Sequence, residues 1–434
     1  MIALVFSSCA PLNFNLDDLM RAPHLNEEQA QLLSALSRAI GVSVKNITLK
    51  YPASGDNRSA VLFQNLDIDP APEALVLYHT GDRDNESSFA ILKKVAGTWR
   101  VAVDVPGMGS DIQKVDFASV RSDNKRDIVI CWTMNNLQSN VISVYNFESS
   151  NLENVVTIEK ADDYTVYDIN NDGSDEILTV TYPPLTTQPA KIQLYGRDNG
   201  KIDVLDTYEG ADIAIARFAS VAGSQLNAVR NGVFMEGIAR SATYAYETVV
   251  LSANGNQLFN VMEYDSTDYS DRTKRVTKVF SMAFTVGGPL EIPMNETPLP
   301  GYEDAAEKQY IIDFGSFSAG QATVDYTAYV NDKSGYLFIL PRQWQGANIS
   351  VTSKNDGQEI TFYDFSNTFQ YSTPLLKIQV VSKSDVAAKD ASAPQLITTR
   401  GLFDYVATFP TSDSSYNISI EDCQQLFRFI DGTK

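Results

Sequence analysis

The chain has few of the residues that enzymes most often use for proton transfer and nucleophilic attack. Its 434 residues include two histidines and three cysteines. Histidine is the commonest catalytic base, and the sequence contains no GxSxG, HExxH or P-loop motif. These absences predict a protein that is not an enzyme.

Basic residues are also scarce relative to acidic ones. The 34 Lys and Arg residues are outnumbered by 54 Asp and Glu residues, which gives a formal net charge of -20. Such a chain repels a phosphate backbone and an anionic lipid surface, so nucleic acid is excluded as an expected partner. Long apolar runs are missing too, and a spanning helix needs about 18 or more apolar residues in succession.

The three cysteines do not suggest a disulfide framework or a CxxC metal site. Cys131 lies in an apolar run and Cys423 lies near the C-terminus, far apart in the sequence. We predict that both are buried and unpaired, which is ordinary for free cysteine.

What the sequence does contain is a repeat of about fifty residues. A marker position recurs with spacings of 54, 49, 51 and 64 residues, at Glu73, Asp127, Glu176, Asn227 and Glu291. In the first three copies a turn residue follows the marker by 24 residues, and every copy has about four β-branched or aromatic runs. The pattern predicts a mainly β fold: a β-propeller of about five, and between five and seven, four-stranded blades. A β-sandwich is the alternative.

The segments on either side of the repeat have a different residue pattern. We assign residues 1–24 to a signal remnant and spacer, 25–46 to an N-terminal helix, 47–332 to the propeller and 333–434 to a small α+β domain. Asn26 and Gln29 form an expected capping box at the first helix, and Ser419 and Asp422 form one at the last.

The first nine residues resemble the end of a bacterial lipoprotein signal, in which small residues precede a lipidated cysteine. Cys9 is then the lipidation site, and the expected location is extracytoplasmic, with the membrane contacted only through this anchor. A frayed terminus that contains a cysteine by chance is the alternative.

The third copy of the repeat has the residues of a calcium loop. Asp168, Asn170, Asp172 and Glu176 place oxygens at positions 1, 3, 5 and 9, and the Ser174 carbonyl adds a fifth. Gly173 permits the sharp turn between them. Position 12 is Thr179 and not a bidentate carboxylate, so modest affinity is expected. A metal-free Asx-turn loop is the alternative.

The first copy offers a second metal loop with a weaker pattern. Its oxygens come from Asn65, Asp67, Asp69 and Glu73, but Pro70 replaces the glycine and cannot adopt a positive φ. In the second copy Arg121 stands where a ligand is expected, which suggests an internal cation in place of the metal. The fourth and fifth copies are expected to form structural turns only.

These loops resemble the FG-GAP repeats of integrin-type propellers and the related VCBS repeats of bacterial surface proteins, in which the loop after the first strand binds calcium. The segment Gly335–Trp344 resembles the second domain of propeller-bearing lipoproteins from anaerobic Gram-positive bacteria. That family is uncharacterised in function, so the resemblance implies an architecture and a location, without an activity.

Two functions remain open at this stage. The first is a lipid-anchored surface protein whose propeller is a non-catalytic binding platform for an extracellular protein or glycan. The alternative is a secreted hydrolase that acts through carboxylates in the propeller channel. Two opposed, desolvated acids in a sugar-sized pocket favour the second.

Overall fold

Short β-branched and aromatic runs form antiparallel sheets along most of the chain. The computed structural model describes residues 26–430, except for 68, 82–85, 122–124, 135–139, 184, 186, 211, 265–266, 319–320, 345–346, 384–393 and 411–415. Six sheets of four or five strands account for most of the described residues. The mainly β prediction is therefore confirmed.

In the first four sheets, strands that are adjacent in the sequence lie next to each other, apart from a first strand split in two in sheet 1. Sheet 1 consists of Ile47–Leu49, Val61–Gln64, Glu73–Thr80, Ser88–Val95 and Thr98–Pro106. Sheet 2 consists of Asp111–Ala118, Asp127–Thr133, Asn140–Glu148 and Asn151–Ala161. Sheet 3 consists of Asp163–Tyr167, Glu176–Thr181, Lys191–Asp198 and Lys201–Tyr208. Sheet 4 consists of Ile215–Asn227, Arg230–Ala239, Tyr246–Asn254 and Gln257–Asn260.

The last strand of sheet 5 comes from the C-terminal end of the described chain, and in sheet 6 the last two strands exchange places, so that Phe403–Thr408 lies next to Thr373–Ser382. Sheet 5 consists of Ile292–Pro298, Tyr310–Ser318, Gln321–Asn331, Tyr336–Ile339 and Phe427–Phe429. Sheet 6 consists of Ile349–Lys354, Glu359–Asp364, Thr373–Ser382, Gln395–Arg400 and Phe403–Thr408. A two-stranded hairpin, Glu263–Tyr264 with Thr267–Asp268, lies between sheets 4 and 5 in the sequence.

Two α-helices and four short 3₁₀ turns complete the described structure. Helix α1 is Glu27–Ile40 and helix α2 is Ile420–Leu426, and both begin with the capping boxes expected from the sequence. The 3₁₀ turns are Val44–Asn46, Ser270–Thr273, Arg342–Trp344 and Phe369–Tyr371. Neither described α-helix has the length and hydropathy that a membrane crossing requires.

The chain divides into two compact units, residues 1–117 with 125–159 and residues 118–124 with 160–434. In the first unit, one face of sheet 1 packs on sheet 2 around Phe89 and Trp132. Its other face packs on Leu32, Leu33 and Leu36 of helix α1. We expected this helix at a propeller edge; it covers a sheet face, because its leucines recur at helical spacing and need an apolar surface.

In the second unit, successive sheets pack face to face. Phe218 and Met235 lie between sheets 3 and 4, and Phe234 and Met294 lie between sheets 4 and 5. Phe338 and Phe362 lie between sheets 5 and 6. Each contact buries alternate residues from two strands, as sheet-on-sheet packing requires.

The domain boundary placed at 332/333 from the sequence falls inside sheet 5, because Tyr336–Ile339 pairs with Gln321–Asn331 through a tight turn in which Gly335 has a φ of 70°. Two short strands complete sheets 5 and 1. Phe427, directly after helix α2, begins the last strand of sheet 5. Ile47–Leu49 pairs with Glu73–Thr80 in sheet 1.

The segment between sheets 4 and 5 is fixed to sheet 4 by a buried ion pair. Arg275 Nη2 lies 2.8 Å from Glu236 Oε2. The guanidinium also donates to the Val279 carbonyl at 2.9 Å, and Thr248 Oγ1 donates to Glu236 at 2.7 Å. A buried charge pair is tolerated when its remaining donors and acceptors are satisfied in this way.

Candidate cation-binding loops

The acidic marker of the repeat has a structural role that explains its position. Glu73, Asp127 and Glu176 are each the first residue of the second strand of their sheet. Glu73 Oε2 accepts the backbone N–H of Leu66 at 2.9 Å, and Glu176 Oε2 accepts that of Ile169 at 3.0 Å. Both bonds span seven residues, so the same buried carboxyl closes the loop before the strand in sheets 1 and 3.

The marker does not keep this position in sheets 4 and 5. Asn227 is the last residue of the first strand of sheet 4, and Glu291 precedes the first strand of sheet 5. These two residues are therefore not equivalent to Glu73.

Loop 1 (residues 65–73) brings three carboxyl groups together. One oxygen from each of Asp67, Asp69 and Glu73 lies within 4.8 Å of the other two. Asn65, the fourth predicted ligand, instead donates its side-chain amide to the Asp69 carbonyl at 2.9 Å. Among the described residues, this is the one group of three acidic, histidine or cysteine side chains that converges closely enough for a metal ion.

A lysine ammonium group lies among these carboxylates. Lys93 Nζ bonds to Asp67, lies 2.6 Å from Asp69 Oδ2 and lies 3.4 Å from Glu73 Oε1. Burial disfavours the charged form of Lys93, yet the hydrogen bonds to Asp67 and Asp69 outweigh it and raise the pKa above the usual range. The Lys93 hydrogen bond in turn lowers the pKa of Asp69. The positive charge of Lys93 therefore offsets part of the negative charge of loop 1.

Loop 3 (residues 168–176) has a different internal arrangement. Asp168 Oδ1 and Asn170 Oδ1 both accept the backbone N–H of Asp172, at 3.1 and 2.9 Å. Asp172 Oδ1 accepts the N–H of Ser174 at 2.9 Å. Gly173 adopts a φ of 88°, as the predicted turn requires. Two of the expected ligand oxygens thus converge on one amide, while the three carboxyl groups do not meet as closely as those of loop 1.

Glu176 is buried and carries no described counter-charge. It is 3% exposed, and burial raises its pKa to about 8, with Asp172 and Asp168 adding to the shift and the Ile169 N–H opposing it. Within the described part of the chain, no lysine or arginine is paired with Asp168, Asp172 or Glu176. Burial without a paired cation therefore favours the protonated form of this carboxyl.

The difference between the loops follows from one position on the third strand. Extending the observed register by one residue places Lys93 opposite Glu73, Asn146 opposite Asp127 and Gly196 opposite Glu176. Asn146 donates to Asp127 at 3.3 Å. These partners follow the marker by 20, 19 and 20 residues, a spacing from which the sequence could have revealed the lysine.

Loop 3 is also fixed to a neighbouring segment of its own unit. Ser119 donates its N–H to Asp175 Oδ2 at 2.7 Å, and Asp175 returns a backbone N–H to the Ser119 carbonyl at 3.0 Å. The residues at the tip, Asn171 and Asp172, remain exposed. The loop therefore presents polar groups from a fixed backbone.

The remaining sequence predictions have mixed outcomes. Cys131 and Cys423 are buried, as expected, and neither forms a disulfide with another described residue. Cys9, with the whole of residues 1–25, lies outside the described residues.

A second cluster of titratable groups lies in sheet 4 and beside it. Glu247 is 2% exposed, and its Oε2 has no hydrogen-bond partner among the described residues. Burial raises the pKa of Glu247 to about 7, and nearby Lys274 opposes the shift. The pKa of Asp212 is lowered instead. Burial alone would raise this pKa, but hydrogen bonds from a backbone N–H, Tyr244 and Lys274 outweigh it.

Comparisons with known proteins identify no family. No family model matches the chain, and no curated protein matches it. Solved structures with similarity include Sqt1 from Saccharomyces cerevisiae, at 8% identity over 84% of this chain and 100% of that chain, with a TM-score of 0.33. A rhamnogalacturonan lyase from Bacillus licheniformis has 10% identity over 87% of this chain and 93% of that chain, with a TM-score of 0.31. TolB from Acinetobacter baumannii has 10% identity, 75% and 61% coverage and a TM-score of 0.23. These values assign neither a family nor an activity.

Replacing Lys93 tests its role as the cation of loop 1. Lys93→Met keeps most of the side-chain stem but leaves three carboxylates facing one another, so we expect a loss of roughly 2 kcal/mol in the free energy of unfolding in EDTA. Added calcium should raise the melting temperature of this variant more than that of the wild type, because the ion replaces the ammonium group.

The matched control is Lys94→Met, which removes the adjacent lysine. Its side chain is more exposed, and its ammonium group pairs with Glu28 at 3.3 Å and lies 5.3 Å from the centre of the Trp99 ring, so the expected change is below about 1 kcal/mol. An equal calcium response in Lys93→Met and wild type would show that the triad does not bind the ion.

Glu247 should make stability depend on pH. Its pKa is about 7 in the folded chain against 4.5 in the unfolded chain, so its contribution is complete below pH 4.5 and is lost as pH rises through 7. The loss approaches about 3 kcal/mol. Urea denaturation at intervals between pH 4 and 8 should show a shallower decline for Glu247→Gln than for wild type. The exposed Glu209→Gln should retain the wild-type slope, and a wild-type slope in Glu247→Gln would contradict the assignment.

Proposed function

We propose that the chain is a calcium-dependent, non-catalytic binding platform that holds loops on a β-propeller for an extracellular protein or glycan. The observation that carries the proposal is loop 3, which combines exposed acidic and amide groups with a backbone fixed by hydrogen bonds. Rigid scaffolds with polar loops at strand ends suit recognition. Pre-organised loops also lose less entropy on binding.

The propeller is the architecture that best accommodates the sheets. Antiparallel sheets that follow one another along the chain and pack face to face have the arrangement of propeller blades. Sheets 3 to 6 follow this order in one unit, and sheets 1 and 2 follow it in the other. We take sheet 6, assigned from sequence to the C-terminal α+β domain, as a sixth blade, within the expected range of five to seven.

Loop 3 fits calcium by the chemistry of its donors. Asp168, Asn170 and Asp172 offer hard oxygen ligands, and Gly196 leaves no room for a competing side chain beside Glu176. A Cβ on Gly196 would lie 3.1 Å from Glu176 Cγ and 2.6 Å from Leu205 Cδ1. Bound calcium would supply the positive charge that a lysine supplies in loop 1.

The calcium site is tested by Asp172→Ala. We expect millimolar calcium to raise the melting temperature of the wild-type chain, since the ion binds only the folded loop. The variant should lose this rise, and Asp198→Ala, which removes an exposed acid from a hairpin of the same sheet, should retain it. A wild-type chain that does not respond to calcium would remove the metal from the proposal.

The lipid anchor is proposed from the sequence around Cys9. When the coding region is expressed with its natural upstream sequence, the protein should partition into the membrane fraction. Cys9→Ser should shift it to the soluble extracytoplasmic fraction, because one thioether-linked lipid group is lost. Equal partitioning of both forms would contradict lipidation.

The hydrolase alternative has one observation in its favour. Glu247 and Asp212 have pKa values displaced in opposite directions, which is how paired acids divide catalytic roles. Neither residue lines any of three cavities described by the structure, of about 490, 200 and 400 Å³. Glycan cleavage by wild type that Glu247→Gln abolishes would replace the binding proposal with this one.

A further inference from the structure

Loop 3 is held by the turn between the first two strands of sheet 4. Asn231 Nδ2 donates to the backbone oxygen of Asp168 and, at 2.6 Å, to Asn171 Oδ1. Asn171 Nδ2 donates in return to the Val229 carbonyl at 3.1 Å. The side-chain amides of Asn171 and Asn231 thus link sheets 3 and 4 through hydrogen bonds donated in both directions.

The strand that enters loop 3 lies unusually close to sheet 4. A Cβ on Gly223 would lie 2.2 Å from Tyr167 Cγ, so only glycine permits this packing. Tyr167 directly precedes Asp168, and its hydroxyl lies 3.5 Å from Asn231 Oδ1. The entrance to the loop is therefore positioned by sheet 4.

Asn171 adopts a backbone conformation that needs support. Its φ of 60° is left-handed, which costs energy for residues other than glycine, although asparagine tolerates it best. This residue lies between Asn170 and Asp172, so its conformation sets the position of the Asp172 N–H, which Asp168 Oδ1 accepts at 3.1 Å. The contacts with Asn231 and Val229 hold Asn171 in that conformation.

We propose that Asn231 is a positioning residue for the cation site of loop 3, and that calcium binding and the packing of sheet 4 on sheet 3 stabilise each other through it. This inference rests on the calcium site proposed above. Asn231 fixes Asp168 and Asn171 before the ion arrives and so lowers the entropic cost of binding. Energetic coupling between two sites acts equally in both directions, so the bound ion also stabilises the hairpin of sheet 4 that carries Asn231.

The experiment measures calcium affinity and local exchange in the full chain. Calcium chloride is titrated by calorimetry into wild type, Asn231→Ala and the control Asn254→Ala, an exposed asparagine of the same sheet. We expect affinity to fall about 10- to 100-fold in Asn231→Ala, as for groups that orient metal ligands, and to be unchanged in the control. Amide hydrogen exchange at residues 227–231 should slow on calcium addition in wild type and not in Asn231→Ala.

A second variant approaches the same contact from the loop. Asn171→Gly keeps the left-handed backbone at no steric cost, so folding is not at risk, but removes the amide that Asn231 holds. It should lower calcium affinity to a similar degree. The double variant should lose little more calcium affinity than either single variant, because both substitutions remove the same interaction.

The outcomes separate the two proposals. A wild-type chain that binds no calcium overturns both the metal site and the coupling. Calcium binding that is equal in wild type, Asn231→Ala and Asn171→Gly leaves the metal site standing and overturns the coupling. Additive losses in the double variant, or calcium-induced protection at 227–231 that persists in Asn231→Ala, also overturn it.

Discussion

The arrangement of the candidate loops depends on a buried carboxyl group at the start of the second strand. Glu73 and Glu176 each accept a backbone N–H from seven residues earlier and so close the loop that precedes the strand. A carboxyl group in this position is removed from water, which disfavours its charge. The sheet must therefore either supply a cation or keep the group protonated.

Sheets 1 and 3 meet this requirement in opposite ways. Sheet 1 places Lys93 across from Glu73, and its ammonium group lies within ion-pair distance of all three acids and offsets part of their charge. Sheet 3 places Gly196 across from Glu176, whose pKa rises to about 8. The loop with the better calcium motif is thus the one without an internal cation, while the loop whose carboxylates converge already contains one.

The sequence predicted what depends on local chemistry and missed what depends on register. The marker acid and the following turn located the strands of sheets 1 to 3, because each of them shapes a connection between two adjacent strands. The marker failed in sheets 4 and 5, where Asn227 ends the first strand and Glu291 precedes it. The domain boundary placed at 332/333 falls in the turn between two paired strands. Lys93 was missed because its contact with Asp67 and Asp69 depends on which residues pair across strands. The internal cation expected at Arg121 in the second copy stays a prediction, because residues 122–124 of that loop lie outside the described residues.

Helix α1 has a consequence for solubility. A sheet face lined with aliphatic side chains forms an apolar patch when nothing covers it, and large exposed apolar patches promote association. Leu32, Leu33 and Leu36 occupy that face on sheet 1, while the acidic first turn of the helix, Glu27 and Glu28, is exposed. The helix therefore replaces an apolar sheet face with a charged surface.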